Sequence, residues 1–300
     1  MSRDEYFEQI ILLKDCIIQS RYYSGRAGKK IHNAPPAGKT PLKQLRYQDK
    51  RAALLCECKI DTNFTPEKDY WITLTYGGCE VSSQQARRDI DNFIRRLRRK
   101  YRQAGNELKY ILTAGRTQRG AIHFHMILNA FDPTAISKAW QDLSRGGYAH
   151  IKYIYKKSCS FQYLAEYIIK NSREDFYSTD KVFKKRFCES QNLQMPRIVK
   201  RPISIRTFAK DTTPPKGYIL DKNSVYNGYG YSDAHGWHSS NVKQCRYMRI
   251  AGMYTRPRFH RSRKTDNIIA VGADDYSDIV QTENLWRPDD EMYVLPRRSV

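Results

Sequence analysis

Two histidines one residue apart, His123 and His125, lie in the run Ala121-Ile122-His123-Phe124-His125-Met126-Ile127-Leu128. On a strand successive side chains alternate faces, so both imidazoles point one way while Ile122, Phe124 and Met126 point the other. Such a pair can chelate one divalent ion, although a lone example more commonly decorates a solvated sheet face. A second group follows in Tyr163-Leu164-Ala165-Glu166-Tyr167-Ile168-Ile169-Lys170. On a helix Tyr163 and Tyr167 stand one turn apart and share a face, with Lys170 nearly on it. Taken alone, and in a chain with 22 tyrosines, they read as core aromatics beside a snorkelling lysine. The two groups together carry more weight. A metal ion polarises phosphoryl oxygens and neutralises developing charge. A tyrosine oxygen, a poor nucleophile at its free pKa of ~10, becomes competent beside a cation, and Lys170 adds positive potential. The combination suits transesterification of a phosphodiester.

The surrounding sequence has to place those groups. Tyr6, Ile10, Leu13 and Ile17 recur at helical spacing, so residues 1–20 predict a short amphipathic helix. Arg21–Leu45 reads as a basic linker broken by Gly25, Gly28, Pro35, Pro36 and Pro41. Within it Ala37-Gly38-Lys39-Thr40 resembles the end of a phosphate-binding loop, but Asn33 replaces the first glycine and Pro35-Pro36 fills the loop, which rejects that reading. Ala53–Ile60 and Tyr70–Tyr76 predict strands. Ser82 and Gln85 form a capping box for a long helix whose apolar stripe is Ala86, Ile90, Phe93, Ile94, Leu97 and Tyr101, ended by Gly105. Leu108–Thr113 and Ala121–Asn129 predict strands around the loop Gly115–Gly120. A short helix from Pro133 to Leu143, a strand over Tyr148–Tyr155 and a helix over Ser160–Asn171 complete the series. The order β-β-α-β-β-α-β-α has connections too short for many parallel crossovers, so an α+β domain with a central antiparallel sheet flanked by helices is expected.

Composition narrows the partner. Of 300 residues, 53 are Lys or Arg and 31 Asp or Glu, a formal net charge of +22. Mean hydropathy is −0.74. The longest apolar runs, Ile10–Leu13 and Ile122–Leu128, fall far short of the ~20 residues of a spanning helix. An excess of this size calls for a polyanion. Nucleic acid is favoured because each neutralised phosphate releases counterions. A membrane surface would need an amphipathic basic helix or a lipid anchor, and neither a myristoylation glycine nor a prenylation cysteine is present. The seven cysteines show no zinc spacing, and Cys56 and Cys58 read as small apolar residues; with no secretory signal, a reducing, cytoplasmic setting is expected.

The run Tyr70-Trp71-Ile72-Thr73-Leu74-Thr75-Tyr76, then Arg119-Gly120 before the paired histidines, then Tyr163–Lys170, resembles the three motifs of HUH endonucleases. More closely it is similar to the two-tyrosine rolling-circle replication initiators of single-stranded DNA phages and related plasmids. The resemblance covers about residues 50–175, from Asn63-Phe64 through the arginine-rich helix onward. It implies a ferredoxin-like HUH nuclease fold and Mg²⁺ or Mn²⁺ held by His123 and His125. It also implies attack on a scissile phosphate by Tyr167 or Tyr163, with Lys170 in support, leaving a 5′-phosphotyrosine link and a priming 3′-hydroxyl. Two nucleophiles would let the enzyme cut again after one round and rejoin the circle. The implied substrate is single-stranded or melted origin DNA. With no NTPase motif in the chain, the implied partners are a separate, host-supplied helicase and a polymerase.

The family often supplies a third ligand, commonly Glu, on the strand before the histidines. Leu112-Thr113-Ala114-Gly115 has no carboxylate there, leaving Glu57, Gln118 or water. Arg95, Arg96, Arg98, Arg99 and Lys100, crowded on one helix with few acids between them, predict a phosphate-binding ridge. Arg116 and Arg119 flank the histidine strand and are candidates to hold the scissile backbone. Farther on, Arg246-Tyr247-Met248-Arg249 and Arg256–Lys264 mix basic and aromatic side chains suited to phosphates and unpaired bases, and His235-Gly236-Trp237-His238 reads as loop. The expected organisation is 1–50 as helix and basic linker, 51–175 as the endonuclease domain, and 176–300 as a basic, aromatic-rich accessory lobe with an acidic tail. The alternatives are a non-catalytic nucleic-acid-binding protein on the same fold, or a relaxase or single-strand transposase.

Overall fold

A computed structural model describes residues 6–23, 42–78, 80–157, 159–230 and 240–250. Among them the chain divides into two compact units, Ala52–Met195 and a second made of the described residues before Ala52 and after Met195. Each is built around an antiparallel five-stranded sheet, so the α+β class with helices flanking a central sheet holds. No helix among the described residues is long and apolar enough to cross a membrane.

In chain order the elements are β1 (Tyr6–Leu12), β2 (Cys16–Tyr23), α1 (Leu42–Asn63), β3 (Tyr70–Thr75), α2 (Ser83–Gln103), β4 (Tyr110–Arg116) and β5 (Ile122–Leu128). Then come α3 (Pro133–Gln141), β6 (Ala149–Tyr153), α4 (Gln162–Phe176), β7 (Cys188–Glu189), β8 (Arg197–Ile203), α5 (Ile205–Ala209), β9 (Tyr218–Gly230) and β10 (Ser240–Arg249). The Ala52–Met195 sheet runs β6-β3-β5-β4-β7, and the other runs β8-β1-β2-β10-β9.

Two expected elements are corrected. The N-terminal helix is a β-hairpin, β1 and β2, closed by the Leu13 N–H donating to the Cys16 carbonyl at 2.9 Å. Its Ile10, Ile11, Ile17 and Ile18 are all buried, so both strand faces are apolar and no period of two remains to compete with the helical spacing. Ala53–Ile60, expected as a strand, belongs to α1. Ala, Leu, Glu and Lys favour helix there. Burial of Ala53, Leu54, Cys56, Glu57, Cys58, Lys59 and Ile60 erases the amphipathic stripe that would have betrayed it.

The expected basic linker is shorter than drawn: Arg21–Tyr23 finish β2, Leu42–Leu45 open α1, and 24–41, with the rejected phosphate-loop look-alike, lie outside the described residues. The region expected as accessory from 176 divides at Met195, because β7 extends the Ala52–Met195 sheet while β8, β9 and β10 join β1 and β2. Of the distal basic-aromatic segments, Tyr247 is buried on β10 with its hydroxyl donating to Gln19 Oε1 at 2.5 Å, so it is not a stacking surface for bases. Arg256–Lys264, the His235–His238 loop and the acidic tail lie outside the described residues.

In the Ala52–Met195 unit the two sheet faces have separate covers. Ile72, Leu74, Leu112, Phe124 and Met126 pack against α2 and α3, with Ala86, Ile90, Phe93, Ile94, Leu97, Tyr101 and Trp140 buried between. These include all six residues of the α2 stripe expected from sequence. The α2 start is set by Ser82, whose Oγ accepts from the Gln85 N–H at 3.2 Å. The opposite face, through Ile111, Ile127 and Trp71, packs against α1 and α4, chiefly on Cys56, Ile60, Phe64, Ala165, Ile168 and Ile169.

Candidate active site

Strand register determines what gathers on the α4 side of the sheet. β3, β4 and β5 pair so that Thr73 and Thr113 flank His125, while Thr75 and Gly115 flank His123. Alternation along β5 sends Phe124 and Met126 into the α2 core and both histidines toward α4, as their spacing predicts. The two imidazoles stand edge to face with ring centroids 4.8 Å apart.

His125 is held from several sides. Thr73 Oγ1 lies 3.1 Å from its Nδ1. Trp71 stacks on its ring at 5.0 Å with planes 19° apart, and Tyr167 of α4 meets it at 5.8 Å. Tyr167 also contacts Trp71 edge-on at 5.7 Å, so Trp71, His125 and Tyr167 form one aromatic cluster. Burial, reinforced by the neighbouring His123, pulls the His125 pKa down to about 4. Burial likewise lowers His123, with the Ala121 backbone opposing. Both rings are therefore neutral at neutral pH, the form that ligates a metal.

His123 Nδ1 is buried without a hydrogen-bond partner. A buried imidazole nitrogen with nothing to bind costs free energy unless a ligand takes it. Together with the adjacent neutral His125, it fits a divalent cation. β4 contributes no further ligand. A Cβ built on Gly115 would fall 2.7 Å from His123 Nε2 and 3.1 Å from the Asn171 carbonyl oxygen, so the ring occupies the space where a side chain would stand. The Thr113 hydroxyl donates to the Arg186 carbonyl at 2.9 Å. Among the described residues no three His, Cys, Asp or Glu side chains come together as a metal site, so buried Glu57 on α1 does not join the histidines in one. Gln118 is exposed in the β4–β5 turn, leaving solvent as the remaining donor considered from sequence.

α4 turns Ala165, Ile168 and Ile169 inward and leaves Tyr163, Tyr167 and Lys170 outward, the sharing of a face expected from their spacing. The two tyrosines differ. Tyr167 is 39% exposed and touches the histidine cluster, whereas Tyr163 is 61% exposed with Lys157 Nζ 4.8 Å from its ring centroid.

The arginines are distributed otherwise. Arg95, Arg98 and Arg99 are exposed on α2, and Lys100 is half-buried near its end. Arg96 pairs with Asp142 at 3.1 Å. Because α2 covers the sheet face opposite α4, this ridge is separated from His123, His125 and Tyr167 by the sheet itself. Arg119 is exposed in the β4–β5 turn. Arg116 is bound to protein: its Nε contacts Asp175 Oδ1 at 3.2 Å, and Nη2 donates to Ser83 Oγ at 2.7 Å and to the Asp180 carbonyl. That network ties β4 to the start of α2 and the end of α4. Burial raises the Asp175 pKa, with Arg116 and the Val182 and Phe183 amides opposing.

Sequence reasoning gave no role to Trp71, Thr73 or Gly115. The signal was there for the first two, because alternation from Trp71 to Thr73 to Thr75 places all three on one face of β3. Only the pairing register shows that this face abuts the histidines.

Residues 69–172 match the family model described as Replication-associated protein ORF2. The matched stretch runs from the start of β3 into α4 and contains both histidines and both tyrosines. It supports a rolling-circle replication initiator family and a part in DNA replication. No curated protein and no solved structure matches the chain.

Proposed function

We propose that the Ala52–Met195 unit nicks and rejoins single-stranded origin DNA to start rolling-circle replication, through a covalent 5′-phosphotyrosine intermediate. The observation that carries this reading is the contact of the Tyr167 ring with His125 on a sheet face where two neutral imidazoles stand side by side. The family match over the same elements supports it. Mg²⁺ or Mn²⁺ would be held by His123 and His125 and would supply Lewis-acid polarisation of a phosphoryl oxygen.

The chain's own residues do the rest. Thr73 and Trp71 fix the His125 ring, one by a hydrogen bond and the other by stacking. Tyr167 presents its phenol beside the histidines, and its oxygen forms a bond to phosphorus as the bond to the 3′ oxygen breaks. The phenol gives up its proton and the departing 3′ oxygen gains one. Lys170, one turn on and exposed, adds positive charge to the face that receives the phosphate. Tyr163, one turn earlier on the same face, is placed for the second transfer that closes the circle. Arg95, Arg98, Arg99, Lys100 and Arg119 attract the backbone from elsewhere on the unit.

The test is incubation of the full chain with a randomised single-stranded oligonucleotide library and Mn²⁺, followed by denaturing electrophoresis and peptide mapping. A covalent adduct is expected on Tyr167, and it should vanish in Tyr163→Phe/Tyr167→Phe. An adduct that persists in the double variant overturns the nucleophile assignment. DNA binding without cleavage under any divalent ion would instead favour a non-catalytic binding protein, a reading to which the closed Gly115 position lends weight.

A further inference from the structure

Exposed aromatic surface is concentrated at one place in the catalytic unit. Among the described residues, its exposed large hydrophobic side chains are all tyrosines between 148 and 167: Tyr148, Tyr153, Tyr155, Tyr163 and Tyr167. Aliphatic exposure of this kind, at Ile205, Ile219 and Val225, belongs to the other unit. Three of the five tyrosines lie on or beside β6, which is an edge strand of the sheet.

Register connects that edge to the histidines. β6 pairs with β3 so that His150 is opposite Thr73 and Lys152 opposite Trp71. Thr73 and Trp71 are the residues that hold His125. His150 and Lys152 therefore lie on the catalytic sheet face, both exposed, two strands from β5. Tyr148 directly precedes β6, and its carbonyl accepts from the Thr75 N–H at 3.0 Å, in the row that contains His123. Tyr148 is 59% exposed and Tyr155, beyond the other end of the strand, 61%.

We propose that the β6 edge is the docking track for an unpaired nucleic-acid strand, with Tyr148 and Tyr155 stacking on bases and His150 and Lys152 contacting the intervening backbone. Rings that are large, exposed and interleaved with cations suit unpaired bases, which offer a flat face whatever the sequence. A protein partner's apolar surface would favour aliphatic anchors as well as rings, and this patch has none. Base-paired DNA keeps its faces stacked internally and offers nothing to a tyrosine platform. The proposal deepens the nicking reading by supplying the path that brings a strand to Tyr167, but its test measures binding and not chemistry.

The test uses the full chain carrying Tyr163→Phe/Tyr167→Phe, without divalent ion, and fluorescence anisotropy with labelled oligo(dT) and with a duplex of equal length. Tyr148→Ala and Tyr155→Ala should each weaken oligo(dT) binding about tenfold and leave duplex binding unchanged. Tyr148→Phe should restore affinity, because stacking needs the ring and not the hydroxyl. Lys152→Gln should lower the salt slope for oligo(dT) by about 0.7. Wild-type oligo(dT) affinity in both alanine variants overturns the track and assigns the patch to a protein partner. Failure of Phe to rescue overturns stacking. A wild-type chain that forms no adduct while the alanine variants lose oligo(dT) affinity would sink the nicking reading and leave the track standing.

Discussion

Gly115 marks how tightly the site is closed. Its missing side chain lets the His123 ring and the Asn171 carbonyl approach β4 together, and a methyl group there would meet His123 Nε2 at 2.7 Å. Backbone on one side and a ring in a packed site on the other leave little room to yield. Gly115→Ala should therefore cost about 1–3 kcal/mol of stability by overpacking. By displacing the imidazole it should also slow adduct formation about a hundredfold. Thermal denaturation and a single-turnover adduct assay would check both, and a variant that matches the wild type in each would show that His123 is looser than its surroundings indicate. At this scale the sequence was partly readable. The spacing of His123 and His125 committed them to one face, and the spacing of Tyr163 and Tyr167 did the same on α4. The support under His125 was not readable, because Thr73 and Trp71 lie some fifty residues away in the chain and reach it only through strand pairing.

The long helix α2 shows what an element's outer face can add. Helical spacing brings Arg88, Arg95, Arg99 and Arg102 into one exposed stripe. Among the described residues none of the four has an ion-pair partner, whereas the flanking Arg87 and Arg96 pair with Asp91 and Asp142. The stripe carries no exposed ring, since Phe93 and Tyr101 are buried beneath it. It is therefore suited to a sugar-phosphate backbone and not to bases. Replacing Arg95 and Arg99 by Gln should flatten the salt dependence of duplex binding by about 1.8 in slope. It should leave nicking of a short single strand unchanged, because the sheet lies between. Equal loss on both substrates would contradict that separation. α2 was legible almost to the residue because one face is apolar and the other charged. β1, β2 and α1 were misread for the opposite reason: each is buried nearly all round, and a uniformly apolar run keeps no period to reveal its geometry.

Across the whole molecule, the second sheet is pinned by a charge cluster at its centre. Glu8 of β1 is opposite Arg21 of β2 and Arg201 of β8, with contacts of 2.9 and 2.6 Å. Burial alone would raise the Glu8 carboxyl, but the hydrogen bond from Arg21 and the charge of Arg201 hold it below its ordinary 4.5. The folded state thus binds its proton later than the unfolded chain. The stabilisation is complete above pH 4.5 and is lost as the pH falls through the lower folded value. Glu8→Gln should remove that acid limb and cost about 3 kcal/mol, since Arg21 is left buried without its carboxylate. Hydrogen exchange of the β1, β2 and β8 amides, followed from about pH 3 to about pH 7, would report both effects. An unaltered acid limb in the variant would move the cause to another carboxylate.

That sheet takes β1 and β2 from before the catalytic unit and β8, β9 and β10 from after it. On the ribosome the hairpin is made ahead of the nuclease strands, and both of its flanks stay bare until translation has passed Met195. By that point every strand of the nuclease sheet has already been synthesised. A message broken between the two would release the nuclease strands complete, joined to a hairpin with two open hydrogen-bonding edges. Such a product is prone to self-association.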